Sequence, residues 1–267
     1  MKPILNYILL ITISFLLTGC PTTKEIEKPA PTSPPVTEKK PPAPEITFRY
    51  GTIDIGNHRG KIEKGVIDSL AATIRQEKID VVSIQGIVRY PGLTTRVDFV
   101  DAFATAGEMR SAFGETIYLN GRQGGNAVYS TFPIKSNVNT HYVETQGNGF
   151  EAALRAVVDC GTRDVIFVST RLPDNPGMGE ETEAMSTFTA IGSTYLSQPI
   201  IISGNLPHVI IMQPPAAFTD VQVKNAGTTK IWYSKDGSLK VLQTKTEPTS
   251  LGKLVIVEFA IFRTKTP

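Results

Sequence analysis

"IDVVSIQGI", Ile79 to Ile87, is the stretch on which the reading of the fold turns. Its Ile and Val run suits a strand buried on both faces of a sheet, and a helical pattern precedes it. In open α/β sheets the chemistry gathers at the carboxyl ends of the strands. This strand ends on Gln85 and Gly86, so a residue without a side chain stands where chemistry is expected. Such a glycine is either a packing device or the trace of a lost group.

Working outward, Val66, Ile67, Leu70, Ala71 and Ile74 fall on one face of a predicted helix over Lys64 to Glu77. A strand over Thr47 to Ile55 precedes it. After Gln85 the pattern predicts a helix over Val97 to Ala112 and strands at "TIYL" and "NAVYS". A hairpin of "EAALRAVV" and "DVIFVSTR" comes next, then a helix from about Glu180 to Leu196 and the apolar strand "PIIISG". Three strands, "KIWYS", "LKVLQTKT" and "KLVIVEFAIF", complete the order. Cys160, in "VVDCGTRDV", reads as a small residue at the hairpin tip rather than a nucleophile.

The 267 residues are 40% apolar and 19% charged, with a formal charge of +2. That composition is globular, and without Lys/Arg clusters it speaks against a nucleic-acid partner. The N-terminal "MKPILNYILLITISFLLTGC" resembles a bacterial lipoprotein signal: basic Lys2, an apolar run from Ile4 to Leu17, and small residues before Cys20. The run is shorter than the roughly 20 residues of a spanning helix. The resemblance implies cleavage after residue 19 and lipidation of Cys20, hence export and a membrane anchor. Pro21, in place of an acidic retention residue, implies the outer membrane if the source has two membranes. Residues 20–46 form a Pro-rich linker, with Pro at 21, 29, 31, 34, 35, 41, 42 and 44. As a polyproline spacer it would reach on the order of 80 Å. The folded domain is expected over 47–267.

"GNAVYSTFPI", Gly125 to Ile134, resembles the "GNAILSRFPI" pattern of the endonuclease/exonuclease/phosphatase superfamily, and the element order agrees with it. The resemblance covers Thr47 to Phe262 and implies an α/β four-layer sandwich, with two mixed β-sheets packed face to face and flanked by helices. It also implies metal-dependent cleavage of phosphate esters, but the residues for that chemistry are missing. The family's "DVVALQE", whose Glu binds the metal, is "DVVSIQG" here, with Gly86 in the ligand's place. By the same alignment the Asn of "TYNI" becomes Asp54, the Arg of "EPR" Glu151, and the His of "THL" Arg171. "GDFN" becomes "GNLP", with Asn205 and Pro207 at its two functional positions. The Asp of "IDYIFVS" becomes Thr229, and the Asp and His of "SDHLPV" become Leu251 and Gly252.

Hydrolysis here needs a metal to bear phosphate charge and a base for water. The expectation is therefore a pseudoenzyme with no intact catalytic residues, no resident metal and no other cofactor, kept for binding or structure. Its partners would be the membrane, through its anchor, and an envelope protein or a small anionic ligand. The alternative is an active phosphoesterase with relocated residues, a weak Mg²⁺ at Asp54 and a base from His58 or His208; His141 carries no signal. Arg59, Gln85, Asn126, Arg171 and Asn205 could together hold an anion. Against that stands a plainer reading in which Arg171 pairs with Asp54 or Glu151 and fills the cleft. If the alignment holds, residues 86, 205, 251 and 252 share one rim, and Gly86→Glu would restore a ligand.

Overall fold

The computed structural model describes residues 43–56, 62–90, 97–119, 122–142, 151–207 and 213–263. The predicted signal, Cys20, the linker up to residue 42, His58, Arg59 and His208 lie outside them. Two mixed six-stranded sheets pack face to face. Sheet A has the order β11 (Leu239–Thr249), β12 (Gly252–Ile261), β1 (Ile46–Asp54), β2 (Val81–Val88), β4 (Arg122–Ser130), β3 (Arg110–Leu119), and sheet B the order β5 (Ile134–His141), β6 (Ala152–Asp159), β7 (Asp164–Arg171), β8 (Ile200–Asn205), β10 (Thr229–Ser234), β9 (Phe218–Asp220). Parallel pairing occurs between β1 (Ile46–Asp54) and β2 (Val81–Val88), and between β7 (Asp164–Arg171) and β8 (Ile200–Asn205). The helices α1 (Lys64–Gln76) and α2 (Phe99–Gly107) cover sheet A, and α3 (Met178–Thr194) covers sheet B. This is the four-layer sandwich that the sequence predicts.

Strand alternation sorts the side chains. In β1, Ile53 joins the apolar cluster under α1 and α2, whereas Phe48 and Tyr50 face the other sheet. The inter-sheet core includes Val128 of β4 (Arg122–Ser130), Leu154 and Ala156 of β6 (Ala152–Asp159), Phe167 and Ile201. It also takes in Ile231 of β10 (Thr229–Ser234) and Val257 and Phe259 of β12 (Gly252–Ile261). Phe48 stacks on Phe259 with centroids 5.8 Å apart, and Tyr50 on Phe167 at 5.3 Å.

Toward the carboxyl ends of the parallel strands the inner face changes character every two residues. Tyr50 pairs with Val81, Thr52 with Ser83, and Asp54 with Gln85. In the other sheet Phe167 pairs with Ile201, Ser169 with Ser203, and Arg171 with Asn205. An apolar row, a hydroxyl row and a row of charges and amides thus follow one another. The hydroxyl row is bonded across the sandwich: Ser203 Oγ donates to Thr52 Oγ1 at 3.1 Å, Gln85 Nε2 donates to Ser169 Oγ at 2.9 Å, and Tyr50 meets both Ser83 and Ser203. Burial pushes the Tyr50 phenol up to about 12, against its hydrogen bonds with Ser203, Ser83 and Thr52, which lower it.

Three elements differ from expectation. The helix predicted over Val97 to Ala112 stops at Gly107, where Glu108 takes a left-handed conformation (φ 56°), and β3 (Arg110–Leu119) already contains Ala112. Strand β5 (Ile134–His141) is a mostly exposed edge strand, so "IKSNVNTH" carries little apolar alternation to reveal it. Strand β9 (Phe218–Asp220) has only three residues. Cys160 does sit at the β6–β7 hairpin tip, buried, with its N–H donating to Arg163 O at 3.0 Å. Burial pushes its thiol up to about 12, the opposite of what a nucleophile needs.

Candidate functional site

The residues that the alignment singled out, Leu251 excepted, lie at or beside the end of the sandwich where the parallel strands finish. Asp54 closes β1, Gly86 lies near the end of β2, Glu151 directly precedes β6, Arg171 closes β7 and Asn205 closes β8. Thr229 opens β10 opposite Asn205, and Gly252 opens β12. A methyl group built at Gly252 would stand 3.6 Å from the Asp54 carbonyl oxygen, so the two chain ends adjoin.

Arg171 organises this end. Its Nε donates to Asp54 Oδ1 at 3.1 Å and Oδ2 at 3.2 Å, its Nη1 lies 3.6 Å from Glu151 Oε1, and its Nη2 lies 3.6 Å from Asp174 Oδ1. The side chains of Arg171, Asp54 and Glu151 are only 8%, 13% and 5% exposed, whereas Asp174 is 66% exposed. Asp54 Oδ1 also accepts the Gly56 N–H at 2.8 Å. Three carboxylates thus surround one guanidinium. Burying charges this far is tolerable only because they are paired and hydrogen-bonded.

Two of the amides beside this cluster, Gln85 and Asn126, are committed within the domain. Gln85, fully buried, exchanges hydrogen bonds with Thr52 as well as donating to Ser169. Asn126 donates to Ala152 O at 2.9 Å, and Thr170 Oγ1 donates to the same carbonyl at 3.2 Å. Asn205 is 3% exposed and follows Ser203 on the inner face by one alternation, which puts it in the row of Asp54 and Arg171. Its Oδ1 is buried without a hydrogen-bond partner among the described residues.

Gly86 is a packing device. Its φ is +74°, and a methyl group there would stand 2.3 Å from Gly56 Cα and 2.7 Å from Gly56 N. Gly56 is constrained in turn, since a methyl group on it would stand 2.5 Å from Arg171 Nε. Two backbones approach closely, the ladder between β2 and β4 shifts register between Gln85 and Ile87, and Arg171 packs above. The expectation that Gly86→Glu would place a ligand on the rim is thereby corrected: residue 86 has no room for a Cβ. Leu251 departs from the rim as well. It is 4% exposed and belongs to the apolar cluster between sheet A and its helices. Pro207 is buried just past β8, and the preceding Leu206 lies in the cluster under α3. His141, on the edge strand β5, has its Nε2 3.2 Å from Asn139 Nδ2.

Asp174 and the hydroxyl row escaped sequence reasoning. Asp174 follows Arg171 by three residues, within ion-pair reach across a turn, and Ser83, Ser169 and Ser203 each precede a site position by two. That two-residue spacing was the available signal. No group of three or more His, Cys, Asp or Glu among the described residues could hold a metal ion. Asp54 is already engaged by Arg171 and Gly56, and Gly86 brings no side chain. The described residues therefore do not fit the divalent ion that the fold suggests.

No family model and no curated protein matches this sequence. Solved structures do resemble it. An endonuclease/exonuclease/phosphatase from Beutenbergia cavernae is 18% identical, with 82% of this chain and 72% of that one covered at a TM-score of 0.62. Another from Bacteroides vulgatus is 10% identical, with 82% and 100% covered at 0.65. The human Nocturnin catalytic domain with bound sulfate anion is 13% identical, with 81% and 94% covered at 0.62. The chain has the fold of these structures.

Two substitutions test the closed end. Gly86→Ala should cost about 3 kcal/mol in urea unfolding, because it adds left-handed strain to a backbone clash; a loss below about 1 kcal/mol would mean that the close approach to Gly56 is absent. Arg171→Met should also cost about 3 kcal/mol, since it leaves two buried carboxylates without their cation. Adding Asp54→Asn should recover part of that loss by removing one orphaned charge. Additive losses in the double variant would show that the two side chains are not coupled.

Proposed function

We propose that this chain is a membrane-tethered lipoprotein whose folded domain is a non-catalytic binding or structural module on an endonuclease/exonuclease/phosphatase fold. The observation that carries the reading is the place of Arg171. Its guanidinium stands between Asp54 and Glu151, where it acts as a built-in cation, and the neighbouring Gly86 has neither a carboxylate nor space for one. Hydrolysis of a phosphate ester asks for an oxygen-ligated metal and an oriented base. At the aligned base positions stand Leu251, directed into the core, and Gly252. The described residues supply neither component.

Of the two partner classes, an envelope protein is favoured over a small anion at this end. Gln85, Asn126 and Arg171 spend their donors inside the domain, and the guanidinium already faces three carboxylates. The anchor rests on the sequence: the Leu17-to-Cys20 ending of the signal and the Pro-rich spacer that follows. With Pro21 after Cys20, the proposal places the protein on the outer membrane of a two-membrane cell.

Two measurements test the reading. The full chain incubated with Mg²⁺ or Mn²⁺ and bis(4-nitrophenyl) phosphate should release no nitrophenol above the buffer rate; turnover that disappears in Asp54→Ala would sink the non-catalytic reading. In cells, Cys20→Ala should leave the protein unprocessed or shift it out of the membrane fraction. Unchanged processing and fractionation would refute the lipid anchor.

A further inference from the structure

At the opposite end of sheet B, where β8 begins, a pocket of ≈ 210 Å³ lies between the last turn of α3 and the loops around β9 and β10. Tyr195, Ile200 and Phe218 line it, and Leu196, 72% exposed, stands at its mouth. Gly192 sets the depth: a methyl group there would meet Phe218 Cε2 at 2.9 Å and Ala217 Cβ at 3.2 Å, so the helix lies close over these residues. An apolar cavity of about 150 Å³ is enough to admit benzene. This pocket therefore has room for a ring with a short chain.

The aromatic wall is held in place. Arg155 of β6 lies over the Tyr195 ring, its Cζ 4.7 Å from the ring centroid, and its Nη1 donates to the Tyr195 hydroxyl. This cation–π contact and hydrogen bond fix the ring before any ligand arrives.

The mouth carries one charge of each sign, Lys235 and Asp236. Lys235, exposed, lines the pocket, and neither it nor Arg155 forms an ion pair among the described residues. The one nearby acid, Asp236, is engaged in its own turn: its Oδ1 accepts from Ser234 Oγ, Ser238 N and Ser238 Oγ, and its Oδ2 also accepts from Ser238 Oγ. Lys235 thus stands at the mouth without an ion pair among the described residues, beside a carboxylate whose oxygens are turned to Ser234 and Ser238. From this combination of an apolar chamber, a fixed aromatic wall and a free ammonium at the lip, we propose that the pocket binds a small amphipathic carboxylate. The apolar body fills the space between Tyr195 and Phe218, and the carboxylate meets Lys235. The site is separate from the closed end around Arg171 and does not depend on whether that end is catalytic.

The probe is 3-phenylpropanoate, with 3-phenylpropan-1-ol as its uncharged counterpart. Titrated into the full chain, the acid should give saturable amide shifts at Gly192, Phe218 and Lys235, with a roughly millimolar Kd for a ligand of this size. The alcohol should bind the same place about threefold more weakly, the scale of one exposed ion pair. Lys235→Met should bring the acid down to the level of the alcohol and leave the alcohol unchanged. Ala217→Leu, at an unchanged melting temperature, should abolish both by filling the chamber. Absence of saturable shifts at those three amides in the unmutated chain overturns the proposal, as does equal affinity for acid and alcohol.

Discussion

The ion pair between Arg171 and Asp54 ties the last inner-facing residue of β7 to that of β1, one strand from each sheet. Inside a β-sandwich the inner faces must be apolar or mutually satisfied, because a polar group stranded between the sheets costs the full penalty of its desolvation. This molecule meets that demand in graded rows, first apolar, then hydroxyl, then charged. Each row sits one strand alternation beyond the previous one. The ion pair therefore depends on register as well as on composition. A slip of one residue in β7 or β1 would turn Arg171 or Asp54 onto the helix-covered face, where Ile53 and Val168 now lie among apolar neighbours.

The same pair is fitted to the two glycines beside it. With no side chain at residue 86, its backbone meets that of Gly56, and the absence of a side chain at Gly56 in turn leaves space for the guanidinium. Arg171 then supplies, within the chain, the positive charge that carboxylates at this end require. The three residues depend on one another, so a larger side chain at 56 or 86 would conflict with the other two. A buried ion pair contributes little net stability over an apolar substitute, but its loss leaves uncompensated charge. Pairing of this kind holds the end of the sandwich in one conformation.

Much of the architecture was legible in the sequence because it was written in burial. Helix α1 falls within one residue of its expected span, since Ile67, Leu70, Ala71 and Ile74 must all face the sheet. Strands β7, β8 and β12 carry the apolar runs "VIFV", "III" and "LVIV", which suit a sheet interior. Edge strands were harder to see: β5 and β9 bury few side chains, so their residues carry little pattern. At the site, alignment placed Asp54, Arg171 and Asn205 in one row, but side-chain direction was hidden. Leu251 has the rim's position along the chain and a core residue's environment. Gly86 was ambiguous for a related reason, because a missing ligand and a required glycine look alike until φ and the Gly56 contact are known. Asp174 could not be found from the family pattern at all, since its role arises only once an arginine stands at 171.

The two ends of sheet B have come to differ in kind. At the carboxyl ends of β7 and β8, polar side chains are spent on one another: a guanidinium on carboxylates, and amides on hydroxyls and carbonyls. At the amino end of β8, Arg163 Nη2 donates to Ser197 O and its Nη1 to Phe262 O, which holds the loop after α3 against the end of β12 and keeps Tyr195 and Leu196 at the surface. There the polar groups lie at the lip and the walls remain apolar. Recognition needs unsatisfied chemistry in a preformed shape, and at the Arg171 end the guanidinium, Gln85 and Asn126 are engaged within the domain while the unpartnered Asn205 Oδ1 is buried. On that physical ground the pocket beside α3 is better equipped to bind a small molecule than the closed end around Arg171.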